Sequence, residues 1–445
     1  MNRLYKYFLP ALIFFMLASV NGFAQGNAEP TADSGDTAWI LTSTALVLFM
    51  TIPGLSLYYA GLVRGRNVLS VLMQCFAITA MMTVIWLVYG YSLAFSSVGM
   101  VAGETNLHSF IGGLDKMFLK GITADTLSGT IPEVLFFAFQ MTFVIITPAL
   151  IVGAFVERMK FSAMMIFTAI WATIVYLPVC HMVWGGDGGF FADRNTFDFS
   201  GGIVVHITAG VAALVVCIMV GPRKGYPKTA MPPHNLPMTV TGAGMLWVGW
   251  FGFNAGSAVA ADGSAAMALV VTQVSAAMAT LAWMGIEWIK HGKPSVLGAA
   301  TGAIAGLAAI TPASGYVGPV GALCIGFASG SICWWASTVI KSKFGYDDSL
   351  DVFGVHGVGG FLGTVLVAVF ASSTFGGNEG GLENYSIGGQ LGTQTFAAVI
   401  VVIYTLVLTI GILKGVDAMV GLRVDEKEEN EGLDLASHGE QGYND

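Results

Sequence analysis

The sequence predicts an all-α polytopic membrane protein, and three observations predict it. Of its 445 residues 55% are apolar and only 10% charged, whereas a soluble domain carries about 25% charged residues. Apolar runs of bilayer length follow one another with short polar breaks between most of them. The 58 glycines supply the small residues that let spanning helices approach closely. A chain so poor in charge cannot cover a soluble surface of this size. The net charge of −8, with no basic stripe, leaves no footprint for nucleic acid.

Residues 1–24 read as a secretory signal peptide. Arg3 and Lys6 form its charged start, Phe8 to Val20 its short apolar run, and Gly22 and Ala24 the small residues before cleavage. Eleven apolar spans follow, at 37–63, 68–97, 131–156, 161–184, 199–220, 236–258, 263–289, 295–312, 316–340, 352–374 and 391–413. Most can cross a ~30 Å hydrocarbon core with some tilt. The connections are short except for 98–130. The chain thus divides into the signal peptide, a transmembrane domain at 25–414 and a polar tail at 415–445.

Loop charge sets the expected orientation. With the mature N-terminus outside, the outer loops hold only Lys116, Lys120 and Arg194, and every other mature Lys and Arg falls on the cytoplasmic side. The C-terminus is then cytoplasmic. The tail, Val424-Asp-Glu-Lys-Glu-Glu-Asn-Glu-Gly, is either a solvated end or a docking segment for a cytosolic partner. Cys75, Cys180, Cys217, Cys324 and Cys333 are scattered through apolar runs without a CxxC pair. That pattern reads as buried thiols and not as a disulfide frame or metal site.

Two histidines sit inside spans, where a titratable group is expensive and defaults to a functional hypothesis. His206 follows Asp198 by eight residues, and His356 follows Asp351 by five. In the expected orientation the fifth span enters from outside and the tenth from inside, so both histidines are carried toward the mid-plane from opposite faces. Two inverted five-helix repeats around a central pore follow from that placement, with an eleventh helix beside them. Each Asp can equally be a plain helix N-cap, and each His a packing group with an interhelical hydrogen bond. Trp184, near His181, closes the fourth span at the outer side, where an aromatic anchor is common. The sixth span ends there too, in Gly249-Trp-Phe-Gly-Phe-Asn-Ala-Gly-Ser257. Aromatic faces beside a serine oxygen suit a small cation. Phe139, Gln140 and Phe143 on the third span read as packing on sequence grounds alone.

These stretches resemble the ammonium transporter family (Amt/Mep/Rh) in its bacterial Amt branch. The resemblance is carried by Asp198 to His206, Pro233 to Met238, Gly249 to Ser257 and Asp351 to Gly360. Ala154 to Ser162, His181 to Trp184 and the tail pieces Gly421-Leu-Arg-Val and Gly432-Leu-Asp-Leu add to it, and it spans residues 37 to 443. It implies a homotrimer with one pore per subunit. Trp184, Ser257 and Phe143 would recruit ammonium, and Phe143 and Phe253 would form a phenyl gate. His206 and His356 would line a dry pore as a hydrogen-bonded pair, Trp250 would wall it, and Asp198 would support the outer site without touching the ion. The tail would meet a PII-type signal protein. The 98–130 loop and the Trp184–Asp198 segment look longer than the family pattern, which bears on recruitment strength.

The expected function is ammonium transport. Ammonium is recruited from outside and deprotonated near the gate, and ammonia passes the histidines, with or without a separately relayed proton. No cofactor, metal or catalytic residue is expected. A transport-like sensor signalling through its tail is the alternative. There is no HExxH or GxSxG arrangement for an enzyme and no TVGYG-type filter for a potassium channel.

Overall fold

The computed structural model describes residues 31–443. The signal segment at 1–24 lies outside the described residues. Apolar helices dominate: α1 (Ser34–Leu62), α2 (Gly65–Phe95), α3 (Glu133–Phe155), α4 (Phe161–Trp184), α5 (Gly202–Val220), α6 (Leu236–Ala255), α7 (Gly263–His291), α8 (Val296–Ile310), α9 (Pro319–Phe344), α10 (Phe353–Phe370) and α11 (Ile387–Val420). Nine of these are long and apolar enough to cross a membrane among the described residues. Of the other two, α8 has 15 residues and α6 has 20, and both are rich in small residues. The chain is therefore a multi-pass membrane protein with nine to eleven apolar helices.

One boundary and one cysteine differ from the sequence expectation. The last helix runs on through Val420, past Lys414, because Leu413 and Val416 still bury against the bundle. Its end is set by Gly421, at φ 72. Cys324 is exposed on α9 while the other four thiols are buried; an apolar thiol on an outward helix face has no desolvation cost to avoid.

Kinks shape the bundle. α1 breaks at Pro53, where Ile52 leaves helical geometry. α5 and α10 each begin with a π-helical turn, Gly202–Ile207 and Phe353–Gly357. The two helices cross at Gly210, where the backbone of Gly357 fills the space that a Cβ would need. α6 lies as closely on α1, with Gly242 against the Tyr58 backbone. The long 98–130 connection ends in a short hairpin, β1 (Leu127–Ser128) and β2 (Ile131–Pro132), paired Leu127 to Pro132. It is pinned to the bundle by Lys116, which pairs with Glu133 at 2.6 Å, and by Asp193, which accepts the Gly103 N–H at 2.8 Å.

At the opposite end the loops close over a buried ionic knot. Arg223 donates to both Asp347 oxygens at 2.9 Å, and Glu157 pairs with Arg64 at 2.5 Å. Burial raises the Asp347 carboxyl, but the Arg223 bonds outweigh it and hold the group below the ordinary carboxylate value. Arg158 is fully buried, and its guanidinium serves Gly221, Ala154 and Asp347 carbonyls. Burial draws its pKa down to about 10, with Asp347 opposing.

The tail lies on this basic end. Val424 N–H donates to the Arg158 carbonyl at 3.0 Å and Lys160 donates to the Val420 carbonyl at 2.8 Å. Lys224 pairs with Glu426, and Arg423 with Glu429 at 2.7 Å. Two short helices follow, α12 (Glu426–Glu431) and α13 (Leu433–His438), and Asp434 accepts the Ser70 N–H at the start of α2 at 2.7 Å. Arg158 and Arg223 thus spend their side chains on the knot beneath the tail, while Lys160 and Lys224 reach the tail itself.

Candidate functional site

The π-turns of α5 and α10 aim one histidine each into the middle of the bundle. His206 and His356 face each other with Nδ1 atoms 3.2 Å apart and rings 5.2 Å between centroids. Both are buried. Bulged helical turns of this kind recur at functional sites, since they turn a side chain out of the ordinary helical register.

The starts of these helices are held by acid groups. Asp198 is 4% exposed, and its two oxygens accept four consecutive N–H groups, from Gly201 to Val204, at 2.5 to 3.0 Å. On α10 the equivalent acid is Asp348, not Asp351. Asp348 Oδ2 accepts the Phe353 N–H at 2.7 Å. Asp351 pairs outward with Lys341 at 2.7 Å and has a φ of 61. The acid-to-histidine spacing is then eight residues in both helices, which the pairing of Asp351 with His356 had hidden.

Above the histidines stands a column of aromatic rings. Trp184 meets Phe143 edge-on at 5.7 Å, and Phe143 lies 4.5 Å from Phe253. Phe253 continues to His206 at 6.1 Å. Trp250 stacks on His206 at 5.6 Å and is held by its indole N–H to Thr311 at 2.9 Å. The Trp184 indole donates to the Asp198 carbonyl at 2.8 Å, so one aspartate both caps α5 and steadies the outermost ring. Ser257 lies one turn beyond Phe253 and donates its hydroxyl to the Phe253 carbonyl at 2.8 Å, leaving its lone pairs free. His181 is not at the column: its ring is clamped between the carbonyls of Ala94 and His108 at 2.9 and 2.7 Å, tying α4 to the long loop.

Below Phe253 a narrow cavity runs past Trp250, His206 and His356 between Met50, Leu150, Leu246 and Ile304. Its walls are otherwise apolar apart from Tyr58. His206 Nε2 has no hydrogen-bond partner among the described residues, an unusual state for a buried polar atom and one that marks a place for a guest. Among the described residues no group of histidines, cysteines and carboxylates could hold a metal.

The geometry meets its relatives at this point. Residues 38–443 match the model of the Ammonium Transporter Family. The chain belongs to the ammonium transporter family. It is 45% identical to an ammonium transporter of Aquifex aeolicus over 97% of this chain and 98% of the relative. It is 44% identical to an ammonium transporter of Bacillus subtilis over 92% and 99%. Among solved structures it resembles a sensor Amt protein at TM-score 0.82 and 28% identity, covering 91% of this chain and 98% of that one. As a member of this family it is an ammonium transporter in a membrane, and not an enzyme. Of the residues singled out in the sequence, Trp184, Phe143, Phe253, Trp250, His206 and His356 form one series of ring contacts, Ser257 is bonded to the backbone of Phe253, and Asp198 holds Trp184. Sequence reasoning missed Asp348, Thr311 and Tyr58. Only Asp348 left a trace, in the repeated spacing of eight.

Proposed function

We propose that this transporter recruits NH4+ at Trp184, Phe143 and Ser257, that the ion gives up a proton near the Phe143–Phe253 pair, either to water at the Trp184 mouth or to a separate relay along the histidines, and that NH3 passes His206 and His356. The observation that carries the reading is the unbroken series of rings from Trp184 to His356 ending on paired histidines in an apolar cavity. An ion pays several kcal/mol to enter such a space. Potassium has the charge of ammonium but neither its N–H donors nor its removable proton. The aromatic faces favour the cation outside, the apolar walls favour the neutral molecule inside, and the histidine nitrogens are the acceptors on the way.

The same reading takes the basic end as cytoplasmic and the Trp184 end as outer, in a bacterial inner membrane. It cleaves residues 1–24, assembles three chains with one pore each, and gives the tail at 415–445 a PII-type partner. A second reading, a sensor whose main output passes through the tail, draws on the resemblance to the solved sensor protein. Growth on low ammonium in a host lacking its own transporters separates the two.

The test is current recorded from the purified protein in bilayers, across pH, with ammonium against potassium. His206→Ala or His356→Ala is expected to leave an assembled protein with altered transport or a relaxed exclusion of potassium. Normal ammonium transport with potassium still excluded in both variants would make the histidines structural.

A further inference from the structure

The cavity below the gate has one polar wall group other than the histidines and Trp250. Tyr58, on the part of α1 beyond the Pro53 break, lines it and is 5% exposed. Among the described residues its hydroxyl has a single neighbour of hydrogen-bonding type, Thr301 Oγ1 on α8, at 3.4 Å. That is long for an O–H···O contact. Thr301 gives its own proton to the Leu297 carbonyl at 2.9 Å. A hydroxyl has one proton, so Thr301 can only accept from Tyr58, and both lone pairs of the Tyr58 oxygen stay unclaimed. The adjacent Tyr59 is different: it donates to the Leu150 carbonyl at 2.9 Å, is 1% exposed and does not line the cavity.

Helix α8 gives the level of Tyr58 in the path. Thr311, near one end of α8, holds Trp250, which stacks on His206. Thr301 stands ten residues earlier on the same helix, about 15 Å toward the basic end at 1.5 Å per residue. Tyr58 therefore meets the cavity on the far side of the histidine pair from the phenyl gate. There the other walls, Leu55, Leu150 and Ile304, offer no acceptor.

We propose that Tyr58 is a specificity-determining residue of this path, its hydroxyl oxygen accepting an N–H of the ammonia molecule as it leaves His356 for the basic end. The inference rests on the reading that neutral ammonia passes the histidines. A molecule stripped of water has donors to satisfy, and an acceptor in an apolar wall lowers the barrier for it, whereas one oxygen replaces only a small part of the water shell that a potassium ion would have to shed.

The experiment compares ammonium flux into liposomes carrying the full-length protein, its Tyr58→Phe variant and its His356→Ala variant. The ring is retained in Tyr58→Phe, so an assembled protein with unchanged elution from size exclusion is expected. Its maximal flux should fall three- to tenfold at an unchanged half-saturating ammonium concentration, since the outer site is untouched. Wild-type flux in Tyr58→Phe together with altered flux in His356→Ala would overturn the role of Tyr58 alone. A shifted half-saturation in Tyr58→Phe would also overturn it, because the residue would then act on recruitment. Unaltered flux in both variants would count against the ammonia path itself.

Discussion

In the proposed path six side chains on five helices act together with Ser257, which stands just past the end of α6. Trp184 and Phe143 present ring faces and edges where a cation can be drawn from water, and a desolvated cation–π contact is worth up to about 2 kcal/mol. Trp184→Leu should therefore raise the ammonium concentration for half-maximal transport by up to about thirtyfold. Ser257→Ala should raise it less, since only lone pairs are lost. The check is the concentration dependence of uptake, and an unchanged curve for the Trp184 variant removes that residue from the site. The histidines and the outer tryptophan were legible in the sequence because charge and large aromatics are costly or conspicuous in apolar runs. Phe143 was legible only through the family resemblance and Tyr58 not at all: a ring on an apolar helix looks the same whether it packs or lines a path. Asp348 was hidden by its neighbour Asp351, since both precede the histidine and only the fold shows which one turns its carboxylate to the helix start.

The two helix starts that carry the histidines are built alike, a buried aspartate followed by a π-turn, but they are not equally tight. Asp198 satisfies four amides, whereas Asp348 makes one short bond and leaves its Oδ1 without a partner among the described residues. Removing a helix cap costs about 0.5–2 kcal/mol, and four orphaned amides place Asp198→Ala at or above the top of that range. Its thermal midpoint in detergent should fall further than that of Asp348→Ala, and Asp198→Asn should lose less than Asp198→Ala. Equal midpoints for the two alanine variants would show that the extra bonds add nothing. Most helices were readable from run length and hydropathy. α6 and α8 are the informative cases, because glycine and alanine lower their hydropathy while making their close packing feasible. The extension of α11 to Val420 escaped because the exposed Lys414, Gly415 and Asp417 look like a loop, although Leu413 and Val416, one helical turn apart on the other face, are still covered.

On the scale of the molecule, the basic end and the Trp184 end are finished differently. One is a knot of buried charges under a clasped tail, the other a long loop pinned around a ring column. Surface ion pairs such as Lys224–Glu426 are individually weak, worth about 0–1 kcal/mol, so the tail is held by its backbone and capping bonds acting together. Deleting residues 421–445 should lower transport and abolish binding of a PII-type protein while the helices stay folded. Flux through the truncated protein and a pull-down with the host's PII protein check this, and full activity with binding retained would leave the tail a solvated end. At the centre, the contact of Gly210 with the Gly357 backbone has a wider consequence. The spacing of the two helices that carry the histidines is set by main chain meeting main chain, with no side chain between them able to shift rotamer and give way. In the proposed path this one crossing is a fixed gauge: Met50, Leu246 and the other side chains of the cavity can move aside, but the two histidine-bearing backbones can separate only by parting the helices.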